Sequence, residues 1–283
     1  MGKYLEKELK RIANALEKLV ELKRANILSH EEKFDFSSGS IFFWSMGISN
    51  FKSLDHSFEQ DLDYLIGIDK IKADLEYNTQ QFAKGFRVNN VLLWGARGMG
   101  KSSLVRATVS KLIKSYGNLK LVEIPRAALP VLGDILGMME NKKNRFVLFC
   151  DDLSFSHEEE SYHILKSLLD GGVNRYENIV FYATSNRRHL INRNMNDNLD
   201  ISQNDEIDQK ISLSDRFGLW LGFYPCDQNT YLQMSKKYLE RLNYNFTDPT
   251  WREKAIEWQL TRGSRSGRSA FQFACDFLAK NHT

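Results

Sequence analysis

The chain has 283 residues, 42% of them hydrophobic and 27% charged, with a formal net charge of +3. That is room for one large or two modest domains, and so small a charge excludes a whole-chain electrostatic footprint for nucleic acid or an anionic membrane. The N-terminal Met1-Gly2-Lys3-Tyr4-Leu5 carries no apolar signal core, and no run nears the ~20 apolar residues that span a bilayer.

Residues 1–28 read as an amphipathic helix. Leu5, Leu9, Ile12, Leu16 and Leu19 alternate spacings of four and three, and the pattern fails at Lys23 and Asn26. The stripe suits either packing on the helix's own domain or self-association. Residues 34–58 are aromatic (Phe34, Phe36, Phe42, Phe43, Trp44, Phe51, Phe58) and broken by Gly39 and Gly47. Such a stretch wraps onto a core or offers a docking surface. Leu65-Ile66-Gly67-Ile68-Asp69 follows and leads into a helix with apolar Ile71, Leu75 and Phe82. Lying just before the next strand, it suits a purine-contacting turn, with Ile68 as the contact.

Gly95-Ala96-Arg97-Gly98-Met99-Gly100-Lys101-Ser102 matches G-x-x-x-x-G-K-[ST], the phosphate-binding P-loop. Val91-Leu92-Leu93-Trp94 enters it as a strand, and Ser103-Leu104-Val105-Arg106-Ala107 leaves it as a helix. The loop's N–H groups and the helix N-terminus would cradle phosphates. Lys101 would reach the outer phosphates, and the Ser102 hydroxyl would hold Mg²⁺.

Strand signals recur at Leu119–Ile124, Arg145–Cys150, Asn178–Thr184 and Leu219–Phe223, with helices predicted around 127–139 and 157–170. Apolar strands alternating with helices predict a parallel sheet covered on both faces. Ser156 and Glu159 form a capping box, and Gly171-Gly172 suit a left-handed cap. Residues 192–208 are rich in Asn and Asp. From Gln228 on, the pattern is helical only. Three stripes predict a small helical domain, and residues 236–283 carry nine Lys/Arg against five Asp/Glu. Cys150, Cys226 and Cys275 show no metal-ligand spacing and point to a reducing, cytoplasmic compartment.

The chemistry gathers around the P-loop. Phe146-Val147-Leu148-Phe149-Cys150-Asp151-Asp152 is an apolar strand ending in two acids. The first, Asp151, suits the metal. The second, Asp152, suits a water-orienting or deprotonating group. Asn186 closes the next strand, where an amide can sit between γ-phosphate and water. An Asn there is by itself a turn residue; its place in this order gives it meaning. Arg216, in Ser214-Asp215-Arg216-Phe217-Gly218, and Arg268, in Ser266-Gly267-Arg268-Ser269, bring guanidinium groups that stabilise phosphoryl-transfer charge. Arg216 suits a finger given to a neighbouring subunit, and Arg268 a contact from the helical domain to its own nucleotide.

In that order these motifs resemble an AAA+ ATPase over residues from about Leu62 to Ala279. More closely, Leu93–Gly98, Phe149–Phe155, Ala183–Leu190, Ser212–Leu219 and Arg265–Arg268 are similar to a bacterial group known as domain-of-unknown-function family eight-fifteen. The resemblance implies an α/β fold with a five-stranded parallel sheet of order 5-1-4-3-2. It implies an extension over 1–60, a core over 61–225 and a helical lid over 226–283. It also implies ATP and Mg²⁺, bound by Ile68, Gly95 through Ser103, Asp151 and Arg268, with Lys101, Asp152, Asn186 and Arg216 serving hydrolysis. A nucleotide-dependent homo-oligomer with a protein client is the expected assembly. The acidic pair departs from the usual Asp-Glu: Asp152 is one methylene short, and near-attack geometry is sensitive at that scale. Two alternatives follow, a slowly hydrolysing nucleotide-gated binding module and a DNA-associated loader. The second has only the basic lid and Arg187-Arg188 behind it.

Overall fold

A computed structural model describes residues 17–18, 34–54, 62–140, 143–155, 160–172, 176–186, 215–246 and 248–281. Met1–Phe36 and Ser37–Thr283 form two compact units. In the first, Glu17 and Lys18 are helical, and the predicted leucine seam lies outside the described residues. So do Phe58, the capping-box residues Ser156 and Glu159, Arg187, Arg188 and the Asn/Asp-rich stretch.

The second unit is built on one sheet. Its strands are β1 (Ile41–Ser45), β2 (Asn50–Ser53), β3 (Val91–Gly95), β4 (Leu119–Ile124), β5 (Arg145–Cys150), β6 (Ile179–Ser185) and β7 (Leu219–Phe223). Its helices are α1 (Asp69–Ala83), α2 (Lys101–Ser115), α3 (Leu132–Met139), α4 (Glu160–Ser167), α5 (Gln228–Arg241), α6 (Trp251–Arg262) and α7 (Gly267–Asn281). The strand order is β2-β1-β4-β5-β6-β3-β7. All pairings are parallel except the β1–β2 hairpin.

The expected five-stranded parallel sheet is therefore corrected to a seven-stranded mixed one. Within it, β7-β3-β6-β5-β4 run in the expected order. The two added strands come from the aromatic stretch, read above as a wrapping segment. Its burial alternates as a strand's does: Phe42 and Trp44 are buried while Phe43 faces outward. Lys120 helps hold it on the β4 edge by donating to the Gly39 carbonyl at 2.6 Å.

All seven residues of β6 are buried, as an apolar strand covered on both faces should be. The predicted helix over 127–139 divides at Pro130 into a 3₁₀ segment (Arg126–Val131) and α3, because proline lacks the N–H that an α-helical interior needs. After α4 the chain passes into a π-helical turn, Leu168–Gly172, where the paired glycines predicted a cap.

The sheet order places the site. β3, β5 and β6 end at the same edge, and the connection from β3 crosses β6 and β5 to reach β4. The crevice beyond the strand ends at such a crossover is where open α/β sheets bind ligands.

Candidate functional site

The P-loop leaves β3 at Gly95, whose φ is +120° and whose absent Cβ would lie 2.0 Å from the Phe223 carbonyl oxygen. Any side chain there would drive β7 off β3. The loop ends at Gly100, the residue before α2, in left-handed backbone. It runs along a cleft of about 600 Å³ between the C-terminal edge of the sheet and helices α5 and α7.

Lys101 enters this cleft from the first turn of α2 and is 7% exposed. Its ammonium donates to the carbonyls of Gly95 at 2.8 Å and Ala96 at 2.9 Å, and to Asn186 Oδ1 at 3.1 Å. Burial pulls its pKa down to about 8, partly opposed by Asp152 and Asp151. Ser102 Oγ donates to Asp151 Oδ1 at 2.5 Å. A hydroxyl and a carboxylate meeting at the floor of the cleft are the oxygen donors a hard divalent ion takes, so the donor set fits Mg²⁺.

The two acids follow β5 in different conformations. Asp152 has φ +53°, left-handed backbone that costs a residue other than glycine roughly 1–2 kcal/mol. Its N–H donates to Thr184 Oγ1 at 2.8 Å, and its Oδ1 accepts from Asn186 Nδ2 at 2.5 Å. Asn186 thus bridges Lys101 and Asp152 through the two ends of one amide.

The third wall belongs to the helical domain. Arg268, in the first turn of α7, lines the cleft, and its N–H donates to the Gly98 carbonyl at 3.1 Å. Gly98 has φ +74°, and a Cβ there would meet Ser266 Oγ at 2.9 Å. The Ser266 and Arg268 side chains at the start of α7 therefore pack directly against the Gly98 backbone of the P-loop.

Several residues that line the cleft carry no motif. Arg106, on α2, makes a two-pronged contact with Glu123 at 2.9 Å for each prong, and its Nη2 lies 3.9 Å from Asp151 Oδ2. Tyr64, Leu65, Ile66, Met234, Tyr238 and Phe271 line the opposite end. The rings of Tyr64 and Tyr238 lie parallel with centroids 6.2 Å apart, and Phe271 meets Tyr238 edge-on at 5.3 Å.

Of the residues predicted for the site, Arg97, Gly98, Met99, Gly100, Lys101, Ser102, Ser103, Asp151, Asp152, Asn186 and Arg268 line this cleft together. Gly95 and Ala96 stand just behind it and serve through the carbonyls that hold Lys101. Ile68 does not line it. It is 7% exposed in the apolar core, and the preceding residues, Tyr64 to Ile66, face the cleft instead.

Arg216 stands elsewhere. It precedes β7, whose Leu219 pairs with Val91 at the start of β3, so it lies at the sheet edge away from the P-loop. A five-residue strand separates those edges by about 16 Å. Its Nε donates to Asp170 Oδ1, in the middle of the turn after α4.

The sheet order, the P-loop seated at its crossover and the helical domain closing over it define the AAA+ P-loop ATPase fold. A family model described as "Protein of unknown function (DUF815)" matches residues 38–281, and the chain belongs to that family. The Aeropyrum pernix ORC1 protein, solved in complex with DNA, is 15% identical over 81% of this chain and 65% of its own, with a TM-score of 0.56. A Thermotoga maritima RuvB mutant is 18% identical over 76% of this chain and 64% of its own, with a TM-score of 0.53. At such identities the likeness is one of fold. None of the curated proteins matches the chain. Among the described residues no helix is long and apolar enough to cross a membrane.

Proposed function

We propose that the protein binds ATP with Mg²⁺ in this cleft and hydrolyses it, coupling the phosphate state to movement of the helical lid. The observation that carries the reading is the convergence of Lys101, Ser102, Asp151, Asp152, Asn186 and Arg268 from two strand ends and the starts of helices α2 and α7.

The phosphates lie along the P-loop, where the N–H groups of the loop and of the first turn of α2 accept negative charge. Lys101 is already directed into the loop and exchanges its carbonyl partners for phosphate oxygens. Ser102 and Asp151 would hold Mg²⁺, which would supply neutralisation of phosphate charge. Asp152 and Asn186 orient the attacking water. The purine rests against Tyr64, Leu65 and Ile66 on one side and Met234, Tyr238 and Phe271 on the other. Base–aromatic stacking contributes ~1–3 kcal/mol per base in comparable sites. The direct contact between Gly98 and the start of α7 gives the lid its link to the phosphates.

Arg216 precedes β7, at the sheet edge away from the P-loop, and does not line its own chain's cleft. We assign it to the site of a neighbouring copy, in a nucleotide-dependent homo-oligomer acting on a protein client. The decisive measurement is phosphate release at several protein concentrations. Specific activity rises with concentration for the wild type and is lost in Lys101→Ala and Arg216→Ala. Wild-type release equal to that of both variants overturns the reading.

A slow cycle is the second reading, supported by one observation. The short Asp152 side chain is engaged by Asn186 on a left-handed turn. In that case the protein is a nucleotide-gated module that holds ATP for long periods. Asp152→Glu then raises turnover.

A further inference from the structure

Thr184 holds the acidic turn at three points. Its Oγ1 donates to Asp151 Oδ1 at 2.5 Å and accepts from the Asp152 N–H at 2.8 Å. Its carbonyl accepts the Leu153 N–H at 2.7 Å. A hydroxyl has one proton and two lone pairs, so it can give to a carboxylate and receive from an amide at once. The residue itself is 1% exposed, while the two acids it holds face the cleft.

This grip has two geometric results. Asp151 Oδ1 collects three donors, from Ser102, Thr184 and the Asp152 amide, so the carboxylate's rotation is fixed. Oδ2 is then the oxygen turned toward Arg106 across the cleft. The same hydroxyl also fastens the Asp152 amide, so that this residue keeps its φ of +53° and presents its carboxylate to Asn186. Left-handed backbone of this kind persists only where surrounding contacts over-determine it.

We infer that Thr184 is a positioning residue for ATP hydrolysis. It sets Asp151 toward the metal and Asp152 toward the water, and acts only through them. The inference rests on the ATPase reading above. A threonine on an apolar strand gives no sequence signal of this role, and only the β5–β6 pairing brings it beside the turn.

The test compares Thr184→Val, which keeps the shape and removes the hydroxyl, with Thr184→Ser, which keeps the hydroxyl. Steady-state phosphate release is measured against Mg·ATP concentration, and amide exchange is followed at Asp152. The valine variant is expected to lose kcat on the order of 10- to 100-fold with KM within about threefold, and to exchange the Asp152 amide faster. The serine variant returns kcat to within about threefold of wild type. A valine variant with wild-type kcat, or a serine variant as slow as the valine one, overturns the inference and leaves the ATPase reading intact. Should the valine variant fail to fold, exchange in the wild type decides: a slow Asp152 amide supports the clamp, and a fast one overturns it. A wild type that releases no phosphate defeats the ATPase reading itself, and the same exchange measurement then judges the clamp alone.

Discussion

At the phosphate end of the cleft, charge and hydrogen bonds do the positioning. Lys101, Ser102, Asp151, Asp152, Thr184 and Asn186 form one connected network, each member within 3.1 Å of another. At the base end, Tyr64, Met234, Tyr238 and Phe271 offer rings and apolar surface, held by edge and face contacts. The first end depends on directional groups, which tolerate little displacement, so it is built on strand ends and a loop whose glycines fix the backbone. The second depends on area, which is not directional, so it can be shared between a turn and the two helices α5 and α7.

The largest effect expected lies outside both ends. Arg216→Ala should lower kcat on the order of 10³-fold, as loss of a transition-state arginine does. Affinity for a non-hydrolysable ATP analogue should stay unchanged; a parallel loss of binding would move Arg216 out of the finger role. Next, Lys101→Ala should weaken both ATP and inorganic triphosphate, by about 100-fold. Tyr238→Ala should weaken ATP by about tenfold and leave triphosphate untouched. Titration calorimetry with both ligands checks the pair of variants, and equal losses of the two ligands in Tyr238→Ala would erase the division between the ends.

A pH series sharpens the phosphate end further. Burial lowers Lys101 to a pKa of about 8 in the free protein. Bound phosphate raises it again, because an anion favours the ammonium. Binding therefore takes up a proton above pH 8, and affinity should be flat just below that value and fall above it, by up to roughly tenfold per pH unit. The Lys101→Ala variant should show no such fall. The smallest effect is at the acid pair: Asp152→Glu should raise kcat about threefold or more if reach is the defect, seen in single-turnover phosphate release. An unchanged rate would count against the short side chain as the brake.

The phosphate end was largely legible in the sequence because its geometry is local. A loop from Gly95 to Ser102 between a strand and a helix needs few other residues to take its shape, and two acids after Phe149 mark a strand end. Thr184 and Arg106 were missed because nothing in their local pattern separates them from core residues; they matter through what lies beside them across the sheet. The base end was located only to a turn. Leu65, Ile66 and Ile68 are equally apolar, and the choice of which side chain faces the cleft falls to the packing that buries Ile68.

The two extra strands teach the same lesson from the fold. Their aromatic residues announced burial, and the two strands pair with each other locally as a hairpin, yet what joins them to the sheet is the pairing of β1 with β4 some eighty residues away. Residue type and spacing alone determined the strands that precede each motif, the P-loop, the acid pair and the helical run after Gln228, because backbone preference and the alternation of apolar residues act over a few neighbours. The register of the purine turn, the threonine behind the acids, the seven-stranded sheet and the far-edge position of Arg216 were decided by tertiary structure. Each depends on which distant segment packs where, and that is set by burying the whole core at once.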